Sequence, residues 1–131
     1  IRLSLVGSEM CIRDRKDRMY PLVHHKKLTL EKWSKYTRGQ QVLMIGNELN
    51  RATNLLKNNM IPEVKNCYER AMELTDLTSA DIKWKGHLKE LRRFREVLAE
   101  LYYIKNGEAE LNLRLYKCLI EMIPEAYNVL H

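Results

Sequence analysis

The residue types that could do chemistry are scattered along this chain. Cys11, Cys67 and Cys118 lie far apart, and neither C-x-x-C nor H-E-x-x-H occurs. A zinc site needs ligands that a short loop or one helix face brings together, so no metal site is expected. An odd number of widely spaced cysteines makes no disulfide framework either. Cys67 and Cys118 fall on apolar helical stripes and are read as buried core thiols. His24 and His25, adjacent and without further ligands, are read as a solvated pair. Phosphate binding would need a glycine-rich turn opening a helix, but Gly39, Gly46, Gly86 and Gly107 stand alone. Ser34, Ser79 and the thiols lack a neighbouring histidine with an orienting group. Glu48, Glu73, Asp76 and Asp81 occur singly at helix margins, and Glu69, Glu73 and Asp76 share a face read as solvated. The expectation is no catalytic residue, no metal and no cofactor.

One segment differs by charge. Lys83 to Arg95 holds six basic residues (Lys83, Lys85, Lys89, Arg92, Arg93, Arg95) and one acid, Glu90, with Trp84, His87 and Phe94 among them. Cations beside an exposed ring can hold phosphates and stack a base. The candidate RNA or polyanion patch is therefore Lys83, Trp84, Lys85, Lys89, Arg92 and Arg93. Phe94 falls instead on the core stripe, and Arg95 lies at its edge, within reach of either a helix terminus or an acid on another helix. The competing reading is a charged face that only solvates its helix. The chain's net +6, from 23 Lys+Arg against 17 Asp+Glu, does not choose between them.

The elements that would carry these residues are helical. Thr29 is placed to cap a short helix through Tyr36, anchored by Trp33. Thr37 and Gln40 have capping-box spacing and open the first long helix, whose stripe is Val42, Ile45, Leu49, Ala52 and Leu56. Gly46 lies off that stripe: either another helix passes close by, or its cost of about 1 kcal/mol relative to alanine is simply carried. Pro62 suits the first turn of a second helix burying Val64, Cys67, Tyr68, Ala71, Leu74 and Thr78. Ser79 to Gly86 reads as a connection, with or without a turn of helix. A third helix, about His87 to Lys105, buries Leu88, Leu91, Phe94, Leu98, Leu101 and Tyr102, and Asn106-Gly107 stops it.

The fourth helix, about Glu108 to Ile123, has two apolar faces. Leu111, Leu115, Cys118, Leu119 and Met122 make one; Leu113, Tyr116, Ile120 and Ile123 make a second, almost opposite. A helix apolar over so much of its circumference must be covered on two sides. The second face is a candidate association face, through which two copies would dimerise. The favoured cover for it is internal, from Pro124 to Leu130 or from the short Trp33 helix, with the dimer as its main competitor. The fold expected is all-α, a compact antiparallel four-helix bundle with a short extra N-terminal helix, over residues 29–131.

Composition agrees with a packed helical chain. A 45% hydrophobic content over 131 residues supports a core and argues against disorder. Five glycines and three prolines are too few for a many-turned β fold. No apolar run is long enough for a membrane span, so no membrane partner is expected and the location expected is cytoplasmic. Lys16 to Leu28 is basic, contains Pro21 and shows no period, and is read as a lead-in. Residues 1–15, IRLSLVGSEMCIRDR, are too mixed for a signal peptide. They resemble translated adapter DNA from transposase-based sequencing libraries, matching one reading frame from Leu5 through Arg15. The native part is therefore expected to begin near Lys16. The segment contributes Arg2, Arg13 and Arg15 against Glu9 and Asp14, so the charge excess hardly depends on it.

Three stretches carry a family resemblance: Trp33 with Gly39 to Ala52 (GQQVLMIGNELNRA), Glu69 to Thr78 (ERAMELTDLT) and Leu88 to Leu98 (LKELRRFREVL). Together they resemble a family of small bacterial helical bundles, which carries no activity to transfer. The helix holding Tyr68 and Ala71 in a Tyr-x-x-Ala pattern is also similar to HEPN bundles. That resemblance implies a partner of a small nucleotidyltransferase, or a ribonuclease using Arg-x4–6-His at a late helix. Arg18 and His24 have that spacing, but they lie in the lead-in and no Arg–His pair of the folded region does, so the implied member is non-catalytic. The function expected is protein–protein association by a non-enzymatic intracellular bundle, as a homodimer through the second face. The alternatives are an RNA-binding module through residues 83–95 and a non-catalytic HEPN-like partner of a nucleotidyltransferase.

Overall fold

The computed structural model describes residues 25, 27–105 and 107–123. Among the described residues the chain is all-helical, with five α-helices packed together and no strand. No described helix is long and apolar enough to cross a membrane. The segments read as adapter-like (1–15) and as most of the lead-in, with Arg18, His24 and Pro124 to Leu130, lie outside the described residues.

Local signals set the helix starts. Helix α1 (Leu30–Ser34) begins where the Thr29 hydroxyl accepts a hydrogen bond from the Lys32 N–H, 3.1 Å away. Helix α2 (Arg38–Lys57) opens with the reciprocal Thr37–Gln40 capping box at 3.1 and 2.9 Å. Such a box satisfies two donors that the first turn cannot, and stabilises a helix by about 1 kcal/mol. Helix α3 (Ile61–Ala80) carries Pro62 in its first turn, where a missing N–H costs nothing. It runs further than the sequence suggests, into the stretch read as a connection, and a 3-10 segment (Ile82–His87) completes that stretch. Helix α4 (Leu88–Glu100) continues as a π-helical turn, Leu101–Lys105. Gly107, at φ 104°, ends it by donating its N–H to the Leu101 carbonyl. That left-handed backbone suits glycine. Helix α5 (Ala109–Met122) follows.

Helix α2 lies against both α3 and α5, while α3 also supports α4 and α1. The core forms where these meet: Val42, Ile45 and Leu49 of α2, Cys67, Tyr68 and Leu77 of α3, and Leu91, Phe94 and Leu98 of α4 are buried. Gly46 is tight against α5. A Cβ at Gly46 would sit 2.7 Å from Cε1 of Tyr116, so a second helix does pass close there.

That contact corrects the reading of α5. Its buried arc is Asn112, Leu115, Leu119, Ile120 and Ile123, which runs between the two expected faces rather than along either. Helix α2 covers this side, with Tyr116 over Gly46 and Asn112 bonded to Thr53 at 3.1 Å. Of the expected association face, Ile120 and Ile123 are buried, Tyr116 is half-buried, and only Leu113 is open, at 53% exposure. The short Trp33 helix packs elsewhere, on α3. On the other flank Leu111 and Met122 are half-buried and Cys118 is exposed, so Cys118 is not the core thiol its spacing implied.

Candidate functional site

Buried polar side chains come first, because burial is what makes a carboxylate or thiol chemically unusual. Gln41, Asp81 and Trp84 form one such cluster. Gln41 Oε1 accepts from Trp84 Nε1 at 2.7 Å, and Gln41 Nε2 donates to the Trp33 carbonyl and to Asp81 Oδ2, each at 2.9 Å. Asp81 also accepts from the Lys83 backbone N–H and from Lys83 Nζ, which donates in turn to the Ser34 carbonyl at 2.6 Å. Trp33 Nε1 donates to Thr78 Oγ1. Burial alone pushes the Asp81 carboxyl up, but hydrogen bonds from Gln41 and Lys83 hold it below the ordinary carboxylate range. Every member is satisfied, so the cluster ties α1, α2, α3 and the 3-10 segment together and leaves no group aimed at a substrate.

The other acids follow the same pattern. Glu48 is buried between α2 and α3, accepting from Arg51 and from Arg70, each at 3.0 Å. Arg70 donates to Cys67 Sγ. Burial pushes the Cys67 thiol up, partly offset by the Arg70 guanidinium, so it is a poor nucleophile. Asp76 takes a two-point contact from Arg95 at 2.7 and 3.2 Å, the reach expected of Arg95. Glu69 accepts from the Tyr102 hydroxyl, and Glu73 from His25 Nδ1 at 2.8 Å. The face of Glu69, Glu73 and Asp76 is thus half-buried and paired rather than solvated, and His25 is engaged rather than free. Among the described residues no group of three or more His, Cys, Asp and Glu side chains is placed to hold a metal.

The basic segment divides. Trp84 is fully buried with its ring edge against His87, so it offers no face to a base. The reason is its indole N–H, which finds a buried acceptor in Gln41. Lys83 is held by Asp81 and by the α1 carboxyl-terminal carbonyl of Ser34. Lys85, Lys89, Arg92 and Arg93 are exposed. They form no ion pair among the described residues, and with Phe94 in the core as expected they make a patch of cations without a stacking ring.

A groove between α4 and α5 was not foreseen. It encloses about 430 Å³, with Glu90, Arg93, Phe94 and Val97 on the α4 wall and Leu115, Cys118, Glu121 and Met122 on the α5 wall. Phe94 and Leu115 are its buried floor, while Cys118 and the three charged residues reach water. It exists because α5 leans on α2 and α4 leans on α3, leaving α4 and α5 less closely joined to each other. A signal was present: the Leu111–Cys118–Met122 flank of α5 is apolar beyond the arc that α2 covers. The buried Gln41–Asp81 pair had a signal too, since a buried Trp84 needs an acceptor for its N–H and finds it in Gln41.

No family model, curated protein or solved structure matches the chain.

Proposed function

We propose that this protein is a non-enzymatic association module, an antiparallel four-helix bundle with one short extra helix, which holds another polypeptide in the α4–α5 groove. The observation that carries the reading is the groove itself: an apolar trench of Phe94, Val97, Leu115, Cys118 and Met122 with charges at its rim. Two helices flanking an apolar trench accept a third, amphipathic helix, and water-facing apolar surface of this kind favours association. The full pairing of the buried polar groups supports a scaffold rather than a reaction centre. A cytoplasmic location belongs to the same reading, as does a role as HEPN-like partner of a nucleotidyltransferase.

Cys118 allows a direct test. In a Cys11→Ser background, a photo-crosslinking maleimide is attached to Cys118 of the full chain, Cys67 being buried. Irradiation of the purified chain and of source-cell lysate should give a discrete adduct that Met122→Glu removes. No discrete adduct in either sample sinks the proposal.

A second reading has its own observation. Lys85, Lys89 and Arg92 are exposed cations with no acid bound to them among the described residues, and they lie outside the groove. Such a row attracts phosphates by counterion release, which supports a polyanion-binding role through the outer side of α4.

A further inference from the structure

We infer that the occupant of the α4–α5 groove is a second copy of this chain, related by a two-fold axis through the groove, with Arg93 of each copy paired to the partner's Glu121. The inference rests on the association reading and adds the identity of the partner. A two-fold interface brings one patch against itself, so it requires a surface complementary to its own image. The axis sets the α4 wall of one copy against the α5 wall of the other.

The walls suit that exchange. Phe94 and Val97 on α4 meet Leu115, Cys118 and Met122 on α5, apolar against apolar. The charges complement each other as well. Glu90 already has His87 Nδ1 at 3.9 Å. Arg93 and Glu121 make no ion pair or hydrogen bond among the described residues, carry opposite signs, and stand on opposite walls of one groove. The two-fold therefore brings each against its counter-charge at two symmetric places. A foreign helix fits less well: an acidic one meets Glu121 and Glu90, and a basic one meets Arg93 with Lys89 and Arg92 close by on α4. Seating the α5 ridge of each copy in the other's groove also fills the trench with Met122 and Cys118, as ridges-into-grooves packing requires.

Sedimentation equilibrium on the full chain tests this, using two exposed residues whose exchange leaves the core intact. The parent should be a dimer. Arg93→Glu alone, or Glu121→Arg alone, should raise the dissociation constant by about tenfold or more, since like charges then face each other twice. The double exchange Arg93→Glu/Glu121→Arg should return it to within a few-fold of the parent. A monomeric parent overturns the inference, as does a dimer indifferent to either single exchange or one that the double exchange weakens further. A monomeric parent whose Cys118 crosslinks to a polypeptide of another mass ends this inference and leaves the association reading standing. A monomer with no adduct ends both.

Discussion

Asp81 is the residue at which charge and burial are most directly opposed. Its side chain is almost wholly out of water, yet it stays ionised because Gln41 and Lys83 donate to it. Its carboxyl is held below the ordinary range in the folded chain and lies near the ordinary range in the unfolded one. Stability from this difference is therefore present above the unfolded value and is lost as pH falls through the folded one. Asp81→Asn should lower stability at neutral pH by about 1–3 kcal/mol, because buried donors lose an anionic acceptor. Its unfolding midpoint should also fall less steeply than the parent's through the acid range. Parallel midpoint-against-pH curves for the two proteins would rule this account out. Sequence alone placed Asp81 at a helix margin, as one acid among several. Its local partner Lys83 does not mark it as buried, because Gln41, the partner that accompanies it in the interior, comes from a helix far away along the chain.

The helices themselves were largely legible. The Thr37 capping box, Pro62 and Gly107 are short-range devices, read from a few neighbouring residues, and each marks the helix end expected of it. The stripes of α2 and α3 also lie where their spacing places them. Gly46 is the exception that spacing could only pose as a question, and Tyr116 answers it. Alanine normally stabilises a helix interior by about 1 kcal/mol relative to glycine. Here the added methyl meets the Tyr116 ring at 2.7 Å, so Gly46→Ala should destabilise the parent, because the ring must leave its seat. In a Tyr116→Ala background the same change should stabilise the fold by about 1 kcal/mol. Urea unfolding of the four proteins reads this reversal of sign directly. Gly46→Ala stabilising both backgrounds equally would show that α5 does not press on α2 there.

Over the molecule as a whole, the basic bias resolves into charges with different duties. Arg95, Arg70 and Lys83 join helices or hold a buried acid, whereas Lys85, Lys89 and Arg92 face water with no counter-charge among the described residues. If the outer side of α4 binds a polyanion, single-stranded RNA should bind the full chain with an affinity that falls steeply between low and moderate salt. Lys89→Glu/Arg92→Glu should weaken that binding by at least about tenfold and flatten the salt slope, without altering the fold. Equal affinity in the parent and the double variant would leave these cations as solvating charges. Because neither residue lines the groove, this measurement is separable from the dimer test.

The all-helical class, the helix starts and the α2 and α3 stripes follow from the order of residues alone, because backbone hydrogen bonding and side-chain periodicity within a helix are local. The fate of α5 does not. Its apolar residues span so much of the circumference that periodicity leaves the direction of its core open, and the position of α2 settles it. The same packing buries Ile120 and Ile123, leaves Cys118 in water, and opens the groove against α4. Trp84 shows the same division: its type predicts a contact, and only a buried acceptor from α2 determines that the contact is Gln41 rather than a ligand. Which face of an apolar helix is inside depends on the free energy of the whole assembled core, and that is a property of distant residues brought together.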